Sequence, residues 1–128
     1  MARCDTVALV RAVKAAGMRC SGNYMIGYPD ETEAEIGATL DMAWRHRDAG
    51  IDEADVFCVV PFPGTTLYDK AIRRGWLPAD WNPDDMRWFR PIMRNVAVPA
   101  ARLQAIRDAA WADLNPPAFV TVHAEAAR

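Results

Sequence analysis

Two stretches of this chain share one grammar. Asn23-Tyr24-Met25-Ile26-Gly27-Tyr28-Pro29-Asp30-Glu31-Thr32 reads as an apolar strand end, a Gly-Pro turn and an acidic helix start. Phe57-Cys58-Val59-Val60-Pro61-Phe62-Pro63-Gly64-Thr65-Thr66 repeats it about one βα unit later. Proline ends ladder pairing, and a threonine before an amphipathic run opens a helix. Two such units in tandem predict adjacent parallel strands joined by a helix. Their carboxyl ends would then lie side by side, where α/β folds bind small molecules.

The rest of the chain fits around that pair. Asp5 is placed to cap a helix over about 6–16, with Val7, Val10 and Val13 on one side, Leu9 and Ala16 beside them, and Gly17 as its stop. A strand is predicted over 19–26. Thr32 and Glu35 match a capping box, and Ile36, Leu40, Ala43, Trp44 and Arg47 follow at helical spacing up to Gly50. A second strand is predicted over 54–60. Its run of Val56, Phe57, Cys58, Val59 and Val60 is apolar on both faces, which suits a parallel strand covered on both sides. Thr65 or Thr66 starts a helix that buries Leu67, Tyr68, Ala71 and Ile72 and ends at Gly75.

Composition changes after Gly75. Residues 76–98 hold Trp76, Trp81, Trp88 and Phe89 among Pro78, Pro83 and Pro91, a pattern that fits packing over the end of a sheet better than a stacking surface. A last helix is predicted over 99–114, stopped by Asn115-Pro116-Pro117, with Phe119, Val120 and Val122 available to dock from the tail. The expected fold is therefore α/β, in the order α-β-α-β-α with a helical C-terminal extension. Two strands with open edges do not make a stable parallel sheet. The chain reads as a segment of a larger, partial parallel (β/α) barrel over residues 1–75, followed by an aromatic-rich extension over 76–128.

Several functions are disfavoured. The net charge of -2 gives no basic stripe for nucleic acid. No apolar run approaches the roughly 20 residues of a membrane span, and the start lacks a signal-peptide core. The three cysteines, Cys4, Cys20 and Cys58, are odd in number and far apart, which fits reduced thiols in a cytoplasmic protein rather than a disulfide framework or zinc site. His46 reads as a solvated residue of a polar helix stretch, and His123 lies in the tail. Thr32 and Thr66 read as helix caps before anion sites, and Asp30 and Glu31 as complements to a helix dipole before an acid–base pair.

The two stretches resemble the C-terminal half of the core of radical S-adenosylmethionine enzymes. The resemblance rests on Met25-Ile26-Gly27-Tyr28-Pro29-Asp30-Glu31-Thr32, then Thr39, then Val60-Pro61-Phe62-Pro63-Gly64-Thr65, Leu67-Tyr68 and Gly75, and covers roughly residues 5–80. It is nearest in flavour to the group that often carries an N-terminal cobalamin-binding domain. The resemblance implies a partial (β/α)6 barrel whose fifth strand ends in a loose Gly-x-Ile-x-Gly-x-x-Glu pattern beside the adenine. The aligned positions are Asn23, Met25, Gly27 and Asp30. Gly27 is identical, Met25 is conservative, and Asn23 and Asp30 depart. By that resemblance Met25, Ile26, Gly27 and Asp30, with Val60 and Pro61 from the sixth strand, would border the S-adenosylmethionine.

The family's Cys-x3-Cys-x2-Cys motif, whose thiolates hold three irons of a [4Fe–4S] cluster, is absent here. The resemblance therefore implies the cofactor-flanking side of an enzyme that cleaves S-adenosylmethionine reductively, inactive without the missing N-terminal half of the barrel, or a partner chain, that supplies the cluster. Two other readings stand beside it. One is an interaction module docking by open sheet edges. The other is a half-barrel binding a phosphorylated small molecule.

Overall fold

The computed structural model describes residues 4–94 and 96–116. His123, Phe119, Val120 and Val122 lie outside the described residues. Within them the chain runs α1 (Thr6–Ala15), β1 (Ser21–Ile26), α2 (Glu33–Asp48), β2 (Glu53–Cys58), α3 (Thr66–Arg74), a 3-10 turn at Pro83–Asp85, and α4 (Ala100–Leu114). The strands are parallel, in register from Ser21 opposite Glu53 to Ile26 opposite Cys58. This is the expected α-β-α-β-α order with a helical extension.

Local chemistry accounts for the helix starts. Asp5 Oδ1 accepts from the Ala8 amide at 3.0 Å. In the capping box, Glu35 N–H donates to Thr32 Oγ1 at 3.3 Å and Thr32 N–H donates to Glu35 Oε2 at 2.8 Å. At α3 the cap is Thr65, whose Oγ1 accepts from the Tyr68 amide at 3.2 Å, and not Thr66, which is the first helical residue. Gly75 closes α3 in the left-handed region at φ 63°, where a side chain would cost about 1–2 kcal/mol.

The sheet has one covered face. Tyr24 and Ile26 from β1 and Ala54, Val56 and Cys58 from β2 point into a core built with Ile36 and Ala43 of α2 and Leu103, Ala110 and Leu114 of α4. α2 packs on β1 and α4 on β2. The side chains of Asn23, Met25, Asp55 and Phe57 alternate to the other face, and Met25 is 51% exposed. The expectation that the second strand is covered on both sides does not hold among the described residues. Its apolar run reflects instead that Phe57 and Val60 line a concavity at the strand ends.

Three further expectations are corrected. Trp44 and Ile72 are 37% and 50% exposed, so neither anchors its helix. In α1 only Val10 is fully buried, because the helix packs mainly on α2. His46 is buried rather than solvated. Its Nδ1 lies 2.8 Å from the Tyr24 hydroxyl and its Nε2 2.8 Å from Thr6 Oγ1, so the ring bolts α1 and α2 to β1.

The outer edge of β2 is closed without a strand. The Asn115 side chain accepts from the Ala54 amide at 3.2 Å and donates to the Ala54 carbonyl at 2.7 Å. Arg107 Nε donates to the Val56 carbonyl at 2.9 Å, and the Cys58 amide donates to the Trp88 carbonyl. Buried backbone groups need such partners. The extension thus does the work of a neighbouring strand.

Candidate functional site

The turn after β1 is held from three sides. Glu31 Oε2 accepts from the Gly27 amide at 2.6 Å and the Tyr28 amide at 3.1 Å. The Pro29 carbonyl accepts from the Ala97 amide at 2.8 Å. Gly27 sits at φ 89°, and a Cβ there would overlap Leu103 Cδ2 of α4. The close approach that glycine permits is thus to Leu103. Glu31 is occupied in tying the turn together, which leaves it poorly placed as a general base.

Beyond the turn lies a concavity of about 550 Å³ at the carboxyl ends of both strands. Met25, Tyr28, Phe57, Val60, Phe62 and Trp88 form most of its wall. Trp88 meets Phe57 edge-to-face at 6.4 Å between ring centroids. The Tyr28 hydroxyl leans on Met25 Sδ at 3.9 Å. Met25, Tyr28, Phe62 and Trp88 are each 45% exposed or more, a contiguous apolar wall of the kind that marks a ligand or partner surface.

The residues singled out from sequence divide. Met25 and Val60 line this concavity together. Ile26 is fully buried between sheet and helices, and its carbonyl accepts from the Val59 amide at 2.9 Å. Pro61 is among the most completely buried side chains. Asp30 instead borders a neighbouring cleft of about 430 Å³, with Tyr28, Lys70, Arg73, Arg74 and Trp76. Phe57 and Phe62 are not among the site residues expected from sequence, and Trp88 is expected only as one of the tryptophans packing over the end of the sheet. Phe57 has a signal, since it stands opposite Met25 in register. Trp88 stands over the strand ends, as the aromatic segment predicts, but its tie to β2 through the Cys58 amide has no local signal.

Cys58 is the one thiol among the lining residues, and Thr65, which also lines the concavity, is occupied as the cap of α3. The buried Cys58 points to the helix side, and burial first of all pushes its thiol up to about 11, the Asp108 charge adding to this and Arg107 opposing it. Such a thiol stays protonated and unreactive. The Tyr24 hydroxyl is likewise pushed up to about 12, by burial and then by Cys20. Among the described residues no group of three His, Cys, Asp or Glu side chains could hold a metal. No helix among them is long and apolar enough to cross a membrane. What the wall can do is bind and shield a flat, largely apolar group.

Known proteins give partial matches. The chain is 35% identical over 73 residues to an uncharacterised methyltransferase of Pyrococcus horikoshii, covering 57% of this chain and 15% of that protein. It is 40% identical over 65 residues to biotin synthases of two Nitratidesulfovibrio vulgaris strains, covering 49% of this chain and 16% of each of those proteins. The matched stretch spans about one sixth of the length of these relatives. No family model and no solved structure matches.

Proposed function

We propose that the chain forms one wall of an S-adenosylmethionine site in a radical S-adenosylmethionine enzyme, with the adenosine against the apolar concavity. The observation that carries this reading is the meeting of Met25 and Val60 with Phe57 at the strand ends. Relatedness over about half the chain to biotin synthase, a radical S-adenosylmethionine enzyme, and to a methyltransferase supports it.

The wall fits the adenosine part of that cofactor. Aromatic edges from Phe57 and Trp88 and the Met25 thioether offer the contacts that a purine ring accepts. Tyr28 is held over Met25 by the turn that Glu31 fixes. Together these side chains orient the ring and exclude water from one side of it.

The described residues do not fit a [4Fe–4S] cluster, since Cys4 is exposed, Cys58 faces the helices and no three ligands converge. No electron-transfer step is therefore assigned to them. Cluster binding, and cobalamin binding where the whole protein has it, are placed outside this chain.

A second reading takes the cleft beside Asp30 as the site. Lys70, Arg73 and Arg74 line it, which favours a phosphorylated small molecule. Calorimetry of the chain against S-adenosylmethionine and against glucose 6-phosphate separates the two. The first reading expects S-adenosylmethionine binding that is lost in Met25→Asp and Phe57→Asp and kept in Arg73→Ala. Sugar-phosphate binding lost in Arg73→Ala, with none for S-adenosylmethionine, supports the second and overturns the first.

A further inference from the structure

Two hollows meet at Tyr28 and Leu67, which line both. One is the concavity of about 550 Å³, bordered by no acidic or basic residue. The other is the cleft of about 430 Å³ bordered by Lys70, Arg73 and Arg74. A third hollow reaches Tyr28 beside Asp30, Glu31 and Glu35. There Glu31 is engaged by the Gly27 and Tyr28 amides and Glu35 by the capping box. The cationic cleft is therefore the neighbour of the concavity whose charged side chains are left to meet a ligand.

α3 carries the change from apolar to charged. Leu67, Lys70 and Arg74 follow one another at steps of three and four, with Arg73 beside them, so they share one helix face. At 1.5 Å per residue, Lys70 stands about 4–5 Å beyond Leu67 along the axis, and Arg74 about 10 Å beyond it. None of the three cations forms an ion pair among the described residues. Arg73 and Arg74 lie in the last turn and complement the negative end of the helix, whereas Lys70 lies before it. Like charges at this spacing repel. Asp30 is the one carboxylate that borders the cleft, and the half-buried Trp76 adds an aromatic wall. The surplus of positive charge suits a dianionic group better than a single carboxylate.

We propose that the cleft seats the second molecule of the reaction, a small phosphate monoester lying beside the adenosine. Its phosphate meets Lys70, Arg73 and Arg74, and its uncharged body crosses Leu67 and Tyr28 to the seam with the concavity. The step from Leu67 to the cations leaves about 5–10 Å for that body, the length of one ring or a short carbon chain. Tyr28 is held at the seam, with its amide on Glu31 and its hydroxyl on Met25 Sδ. The inference rests on the reading of the concavity as an adenosine wall. It differs from the sugar-phosphate alternative in that both hollows are filled together, by two molecules in contact.

The test uses the 128-residue chain, with S-adenosylmethionine as one ligand and phenyl phosphate as the probe for the other. Calorimetry reads each affinity alone and in the presence of the other ligand. Interligand nuclear Overhauser effects read whether the phenyl and adenine protons are neighbours. The expected result is one phenyl phosphate site that persists at saturating S-adenosylmethionine, with cross-peaks between the two rings. Lys70→Ala and Arg73→Ala, both exposed, weaken phenyl phosphate by about tenfold or more and leave S-adenosylmethionine binding unchanged. Arg11→Ala, on the exposed surface of α1, changes neither affinity.

S-adenosylmethionine binding without phenyl phosphate binding overturns this inference and leaves the adenosine wall standing. Mutual displacement of the two ligands overturns it, as does joint binding without interligand contact. Phenyl phosphate binding that is indifferent to Lys70→Ala and Arg73→Ala, or that falls equally in Arg11→Ala, overturns it too. Phenyl phosphate binding with no S-adenosylmethionine binding overturns the adenosine wall and this inference together.

Discussion

The side chain of Asn115 stands in for a β-strand against Ala54, donating to its carbonyl at 2.7 Å and accepting from its amide at 3.2 Å. Both residues are buried, so neither backbone group has water to fall back on. Asn115→Leu is expected to cost about 2–4 kcal/mol, because it strands a donor and an acceptor together. Urea denaturation measures it. A loss below about 0.5 kcal/mol would show that the edge finds other partners.

Gly27 and Leu103 are predicted to be coupled. Gly27→Ala forces a side chain into a left-handed backbone and into Leu103 Cδ2. The expected loss is about 2–4 kcal/mol, part strain and part overpacking. In a Leu103→Ala background only the backbone strain remains, so the same substitution should cost about 1–2 kcal/mol. Equal costs in the two backgrounds would remove the steric argument.

The fold has an acid and an alkaline limb. Burial would raise the Asp52 carboxyl, but hydrogen bonds from Lys14 and the Cys20 amide and the charges of Lys14 and Arg19 outweigh it and hold it below 3.8. Its contribution is present above the unfolded value and is lost as pH falls through the folded one. Tyr24 runs the other way. Raised from 10.0 to about 12, it contributes fully below 10 and loses its contribution as pH climbs toward 12. Stability measured against pH should fall at both ends, and Tyr24→Phe should flatten the alkaline limb. An unchanged alkaline limb in that variant would rule out the Tyr24 assignment.

The three thiols should react at separate rates. Cys4 is exposed and Cys58 is buried, with its thiol pushed up to about 11. A thiol-specific chromogenic reagent at pH 8 is expected to label Cys4 first and Cys58 only on unfolding. Labelling of Cys58 in the native chain at the rate of Cys4 would mean that the α4 side of the sheet opens readily.

Caps and turns were legible because their chemistry is local. Asp5, Thr32 and Glu35 each act within a few residues. Thr65 and Thr66 offer the same hydroxyl, and only the backbone phase after Gly64 decides which one caps. His46 misled for the opposite reason. Its neighbours Arg45 and Arg47 are polar, while its partners Tyr24 and Thr6 lie 22 and 40 residues away. At the candidate site, Met25 and Val60 could be named from the resemblance, and Phe57 follows once the strand register is known. Trp88 could be placed over the sheet end with its neighbouring tryptophans but not against Phe57, since nothing near it in sequence announces the Cys58 amide. The sealing of β2 was invisible for the same reason, because Asn115 reads simply as the residue before two prolines.

The most direct test of the adenosine wall is a methyl-detected NMR titration of the chain with S-adenosylmethionine, following the Met25 and Val60 methyl groups. The account predicts progressive shifts at both, abolished by Phe57→Asp, with no change at Ile26, whose side chain lies on the helix side of the sheet. No movement of Met25 and Val60 at saturating S-adenosylmethionine, or shifts confined to residues around Lys70, Arg73 and Arg74, would contradict it.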